Sequence, residues 1–255
     1  MTPRAWLLFA AVSVVWGVPY FFIKVAVSDG VPPAFVAWSR VALGAAVLLP
    51  LAWRRGALSG LRGRWRAIAA YTACEVAVPF LLIALGEQYV ASSLAAILIA
   101  SMPLMVALLS VRFSPEDRPT GSRLADLDPV GPIAASLALA TVVLVPAVAV
   151  TPPDAMPSAA ALGSLAVLGV VCTALGLVLF FRLIVEAGPS RAAVITYVNP
   201  LVALVLGVLV LGERLGAMSV VGLLAILGGS WLATGGRRRV GSRAGATAAD
   251  PDGGR

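Results

Sequence analysis

Three ionisable side chains, Lys24, Arg40 and Glu75, stand inside long apolar runs. A charge in hydrocarbon is expensive, so each such residue is a candidate for pairing, for lining a polar cavity or for transport chemistry. Arg40 lies about seven residues into its run, deep for a side chain that only reaches the headgroups. That depth favours a role facing the protein interior, as anion partner or structural clamp. Glu75 stands mid-way along its run and is the one carboxylate at such depth. Pairing with Arg40, binding a cation or amine, and carrying a proton are all open to it. Lys24 is near the end of the first run, where snorkelling and function stand level. Two prolines also interrupt apolar runs. Pro103 and Pro200 each remove a backbone donor and clash with the preceding turn, freeing carbonyls at Ile99 and Thr196. Ser101 and Asn199 offer polar groups beside them. Trp16-Gly17 joins a bulky aromatic to a residue that lets another helix approach. Tyr20, Trp38 and Tyr197 are further candidates for a cavity wall, against the commoner fate of core or lipid-facing aromatics. Glu87-Gln88-Tyr89 reads as a solvated helix cap or an outer gate, and Glu213-Arg214 as an interfacial pair.

Other chemistries lack their residues. Histidine is absent, which removes the commonest metal ligand and general base. Cys74 and Cys172 both lie in apolar runs and have no disulfide or metal spacing. No Gly-rich phosphate loop, H-E-x-x-H motif or nucleophile elbow occurs. No catalytic residue, cofactor or metal is expected. An intramembrane enzyme needs a nucleophile–base pair or a carboxylate dyad, and Glu75 alone makes neither.

The elements that must position these residues are membrane helices. Of 255 residues, 60% are hydrophobic and 12% charged, and mean hydropathy is +0.97. A soluble domain carries about a quarter charged residues. Runs of about 20 apolar residues recur from end to end, each long enough to cross the hydrocarbon as a helix. The spacing predicts spans at 5–26, 34–53, 67–86, 92–111, 130–150, 160–181, 191–211 and 218–235. The alternation of a membrane β-barrel strand is absent. The first run lacks a cleavage site and is read as a span.

With the N-terminus inside, the cytoplasmic segments hold sixteen of the nineteen Lys and Arg residues. Both termini are therefore expected in the cytoplasm of a multi-pass cell-membrane protein. The net charge of +7 sits in short loops and the tail, so no soluble face offers itself to nucleic acid. The Gly/Ala/Arg/Asp tail after about 235 is expected to be disordered.

Self-similarity gives the architecture. Ser93-Leu94-Ala95-Ala96 and Pro103 match Ser190-Arg191-Ala192-Ala193 and Pro200 at an offset of 97, as Glu116 matches Glu213. Pro33, Ala42, Leu43 and Pro50 match Pro129, Ala138, Leu139 and Pro146 at an offset of 96. The matched helices run in opposite directions under the charge count, so the repeats are inverted, the arrangement from which alternating-access transporters are built. The expected fold is an all-α polytopic membrane protein with about eight transmembrane helices. Its parts are a first repeat over 1–111, a cytoplasmic linker over 112–129, a second repeat over 130–235 and a basic tail over 236–255.

Trp16-Gly17, the run Ala84-Leu85-Gly86-Glu87-Gln88-Tyr89-Val90-Ala91-Ser92-Ser93-Leu94-Ala95-Ala96, Pro103, Asn199-Pro200 and Leu211-Gly212-Glu213-Arg214-Leu215 resemble the EamA-type family of the drug/metabolite transporter superfamily. The resemblance covers nearly all of residues 5–235. It implies two inverted five-helix repeats around a central cavity that exports amino acids or other small metabolites. Against that ten-helix pattern the chain lacks the fifth and sixth helices, replaced by the 112–129 loop. A homodimer is one way to fill the gap. The expected partners are a small-molecule substrate and the bilayer. The expected cavity residues are Trp16, Tyr20, Arg40, Glu75, Ser101, Pro103, Tyr197, Asn199 and Pro200. The rival reading is a non-transporting, degenerate or assembly-only protein left by loss of two helices.

Overall fold

The computed structural model describes residues 1–102 and 127–228, except 193, 215, 218, 219, 226 and 227. Every regular element among them is helical. Five helices are apolar and 21–29 residues long: α1 (Pro3–Ser28), α2 (Pro33–Arg54), α3 (Trp65–Gly86), α5 (Val130–Val150) and α6 (Ala159–Ala187). At about 1.5 Å per residue each reaches across a bilayer. Shorter helices include α4 (Ser92–Ala100) and α7 (Ile195–Leu209). The chain is a polytopic α-helical membrane protein. The eighth expected span lies largely outside the described residues, as do Pro103, most of the 112–129 linker and the tail.

Helix starts follow local chemistry. Thr2 caps α1, its hydroxyl accepting from the Ala5 N–H at 3.1 Å ahead of Pro3. Ser158 caps α6 in the same way, accepting from Ala161 N at 3.2 Å, and Asp29 at the end of α1 accepts from Ser158 N at 2.9 Å. Asp128 Oδ1 accepts from Val130 N at 3.1 Å and opens α5. Two helices are interrupted next to a proline, α1 at Val18 before Pro19 and α5 at Leu144 before Pro146.

The irregularities of α3 and α6 correspond. Each contains a π-helical stretch, Thr72–Ala77 and Val167–Leu175, and Glu75 and Cys172 stand at equivalent points of the 97-residue offset. A π turn shifts the hydrogen-bond ladder by one residue and is frequent at functional sites.

Lipid gives helices no hydrophobic reason to associate, so close packing of small side chains must hold the bundle. Ala37, Val41, Ala45 and Leu48 of α2 interlock with Ala134, Leu137, Ala140 and Leu144 of α5. These two helices are related by the 96-residue offset, and α4 and α7, related by 97, also pack together. Gly17 lets α7 close on α1. A Cβ there would collide with Val202 and lie 3.1 Å from the Asn199 carbonyl. Gly17→Ala is expected to cost about 1–3 kcal/mol through overpacking, seen as a lower melting midpoint of the purified protein in detergent. An unchanged midpoint would show that this contact yields freely.

Candidate functional site

A cavity of about 300 Å³ opens between the seven helices α1 to α7, at the small end of the range for small-molecule pockets. Five expected residues line it: Trp16, Tyr20, Arg40, Glu75 and Asn199. Sequence reasoning missed Phe80, Ser136, Cys172 and Thr173, which line it too. The repeat offsets held a signal for two of them, since Ser136 is the counterpart of Arg40 and Cys172 that of Glu75.

Arg40 is on the buried face of α2 and is itself only 9% exposed. Its Nε donates to Thr173 Oγ1 at 2.9 Å. The Thr173 hydroxyl spends its own proton on Leu168 O, 2.8 Å away within the π stretch, so its lone pairs are free to accept from Arg40. The guanidinium also lies 3.9 Å from the centre of the Phe80 ring, a cation–π contact. Arg4–Glu186, at 3.4 Å, is the one ion pair among the described residues. Arg40 therefore holds a permanent charge with no carboxylate beside it.

Glu75 lines the cavity from the π stretch of α3 and is exposed, which places it at the rim. It shares the cavity with Arg40 without pairing to it. Trp16 crosses from α1 to α6: its Nε1 donates to Cys172 O at 3.1 Å, and its ring lies 4.6 Å from that of Phe180. With its amide nitrogen facing them, Asn199 donates to Ser13 O at 3.2 Å and Ile195 O at 3.0 Å, joining α7 to α1.

The remaining expected residues lie elsewhere. Ile99 and Thr196, the residues four positions before Pro103 and Pro200, are in the wall. Pro200 is buried one turn, about 5.4 Å, further along α7. Tyr197 follows Thr196 and is rotated by about 100° off the cavity face, whereas Asn199 returns to it. Ser101 donates to Leu98 O at 2.6 Å and is likewise off the wall, two residues round from Ile99. Pro103 lies outside the described residues. Trp38 is not in the wall either; its Nε1 donates to Thr141 O at 3.1 Å.

The ends of the helices also differ from expectation. Lys24 does not snorkel: its Nζ donates to the carbonyls of Glu87 at 2.7 Å and Val90 at 3.0 Å. Glu87 is fully buried instead of solvated. Glu213 does not pair with Arg214. It accepts from Ser92 N at 2.7 Å, Ser93 N at 3.1 Å and Ser93 Oγ at 2.6 Å, capping α4 from the loop after α7.

A family model described as the EamA-like transporter family matches the chain twice, over residues 4–117 and 118–235. Protein PagO of Salmonella typhimurium is 36% identical over 111 residues, which is 42% of this chain and 35% of the relative. An uncharacterized transporter of Buchnera aphidicola subsp. Schizaphis graminum is 30% identical over 105 residues, 41% of this chain and 35% of the relative. The match thus spans 35% of the length of each of these curated relatives. No solved structure matches.

Proposed function

Because the chain belongs to the EamA-like transporter family, we propose that it moves a small carboxylate-bearing metabolite, such as an amino acid, across the cell membrane by alternating access between its two inverted repeats. The observation that carries this reading is Arg40, a cation held in an apolar cavity without a carboxylate partner among the described residues. A guanidinium aimed by Thr173 and Phe80 suits the two oxygens of a carboxylate. Glu75 at the rim suits an amine, which together with Arg40 would favour a zwitterion. Trp16 and Tyr20 supply apolar wall. Export, the direction the family resemblance implies, and cytoplasmic termini, from the distribution of Lys and Arg, belong to the same proposal. So do the loss of the fifth and sixth helices and a homodimer that would close the gap.

Counterflow into proteoliposomes, screened over amino acids and simple carboxylates, tests the reading. Saturable exchange of a carboxylate supports it, and no exchange of any anion while the protein remains folded sinks it. Glu75→Gln separates the two ends of the substrate. It is expected to weaken amino-acid exchange by about tenfold, the loss of a partly exposed charge pair, while leaving simple monocarboxylates within about twofold. Equal loss for both would remove the amine role from Glu75.

A further inference from the structure

The outer end of α3 holds a carboxyl group that anion transport does not require. Glu87 follows directly on α3, its side chain has no exposed surface, and neither carboxyl oxygen meets a hydrogen-bond donor among the described residues. Lys24 is at hand, yet its Nζ donates to the main-chain carbonyls of Glu87 and Val90. The ionisable groups facing Glu87 are Lys24 and Tyr20 from α1, Arg40 from α2 and Glu213 from the loop after α7. Tyr20 and Arg40 also line the cavity, so the buried carboxyl feels the charge of the substrate site.

A carboxylate stripped of water and given no donors is disfavoured against the neutral acid. Burial pushes the Glu87 carboxyl up to about 9, with Lys24 pulling it down, Glu213 raising it and Arg40 lowering it. The neutral acid is thus the form at physiological pH. Its ordinary value is 4.5, so the contribution to stability is full below that pH and is lost as pH rises through about 9.

We propose that Glu87 is a proton-binding site whose proton binds together with an anion held at Arg40. The second half rests on the anion reading of Arg40 given above. The coupling has a definite sign. Arg40 favours the ionised form of Glu87. An anion that neutralises Arg40 removes this help and adds repulsion, so Glu87 holds its proton more tightly. By linkage the proton strengthens anion binding by the same factor. Proton and anion then occupy the protein together and cross in the same direction.

The infrared carbonyl band of a protonated carboxyl reads the site directly in reconstituted protein. Wild type is titrated from neutral to strongly alkaline pH beside Glu87→Gln, which keeps the shape of the neutral acid, and beside Arg40→Gln. The expected result is a band present at neutral pH, lost in alkali and absent from Glu87→Gln. Its midpoint should move up in Arg40→Gln without any ligand. Benzoate, used as the probe anion, should tighten proton binding in wild type by about fivefold or more, and not in Arg40→Gln. If Glu87→Gln does not fold, the wild-type and Arg40→Gln titrations still decide. No titrating band overturns the proton site, and a midpoint indifferent to Arg40→Gln overturns the linkage. If benzoate fails to stabilise wild type against melting while the band behaves as described, the anion reading of Arg40 falls and the proton site stands.

Discussion

Replacing Arg40 with alanine is expected to abolish carboxylate transport and leave the protein folded in the membrane. Among the described residues Arg40 is the sole cation in the cavity wall, and none of their carboxylates lies within ion-pair distance of it. Removing one member of a buried hydrogen-bonded charge pair costs about 2–5 kcal/mol, or about 30-fold to a few thousand-fold in the binding that drives flux. Folding should not suffer comparably. The substitution strands no partner charge, and the Thr173 hydroxyl keeps its bond to Leu168 O. Arg40→Lys should fall between, because it retains a charge but loses both the planar fork and the Nε–Thr173 contact. Flux in proteoliposomes beside the melting midpoint separates the readings. Lost flux with an unchanged midpoint supports an anion site, whereas a midpoint that falls with the flux makes Arg40 a structural clamp. Wild-type flux in Arg40→Ala removes the residue from transport.

The helices were legible because a bilayer leaves the chain little choice: the expected 67–86 and 130–150 appear as Trp65–Gly86 and Val130–Val150. Arg40 and Glu75 were legible for the same reason, as charges in hydrocarbon demand an explanation. Pro200 pointed to the right region but not to the right residue, because a proline disturbs the turn before it. Ile99 and Thr196 are in the wall, while Pro200 lies beyond it. The π stretches around Glu75 and Cys172 were not legible, since no residue type marks an extra residue in a helical turn. The fates of Glu87 and Glu213 were hidden by a different cause. Both stand at helix ends, where composition suggests solvent. Glu87 is buried instead, and Glu213 is held by Ser92 and Ser93, 121 and 120 positions away, where the loop after α7 meets the start of α4.

That contact yields the second large effect expected. Glu213 gives α4 its N-terminal cap across the two halves, through two backbone N–H groups and the Ser93 hydroxyl. Helix starts leave such N–H groups unpaired and carry partial positive charge, so an anion there is favoured. Hydrogen bonds to a charged group contribute about 1.5–3 kcal/mol each when buried, and solvent around this half-exposed carboxylate reduces that substantially. A net loss of about 2–3 kcal/mol is expected for Glu213→Ala, with a smaller loss for Glu213→Gln, which keeps an acceptor. Burial alone would raise the Glu213 carboxyl, but the hydrogen bonds from Ser93 and Ser92 hold it below the ordinary 4.5. The clasp is therefore complete above that pH and is lost only as pH falls through the depressed value. In Glu213→Gln the corresponding acid step in the melting midpoint should be missing. The clasp ties the second half to the first; under the proposed orientation, with cytoplasmic termini, it lies at the outer face and must part if the cavity opens there. With Cys74 replaced by serine, Glu213→Ala should speed reaction of the buried, cavity-lining Cys172 with a membrane-impermeant maleimide added outside. A faster reaction makes Glu213 the latch of an outer gate. An unchanged rate alongside a lower midpoint makes it a helix cap and nothing more.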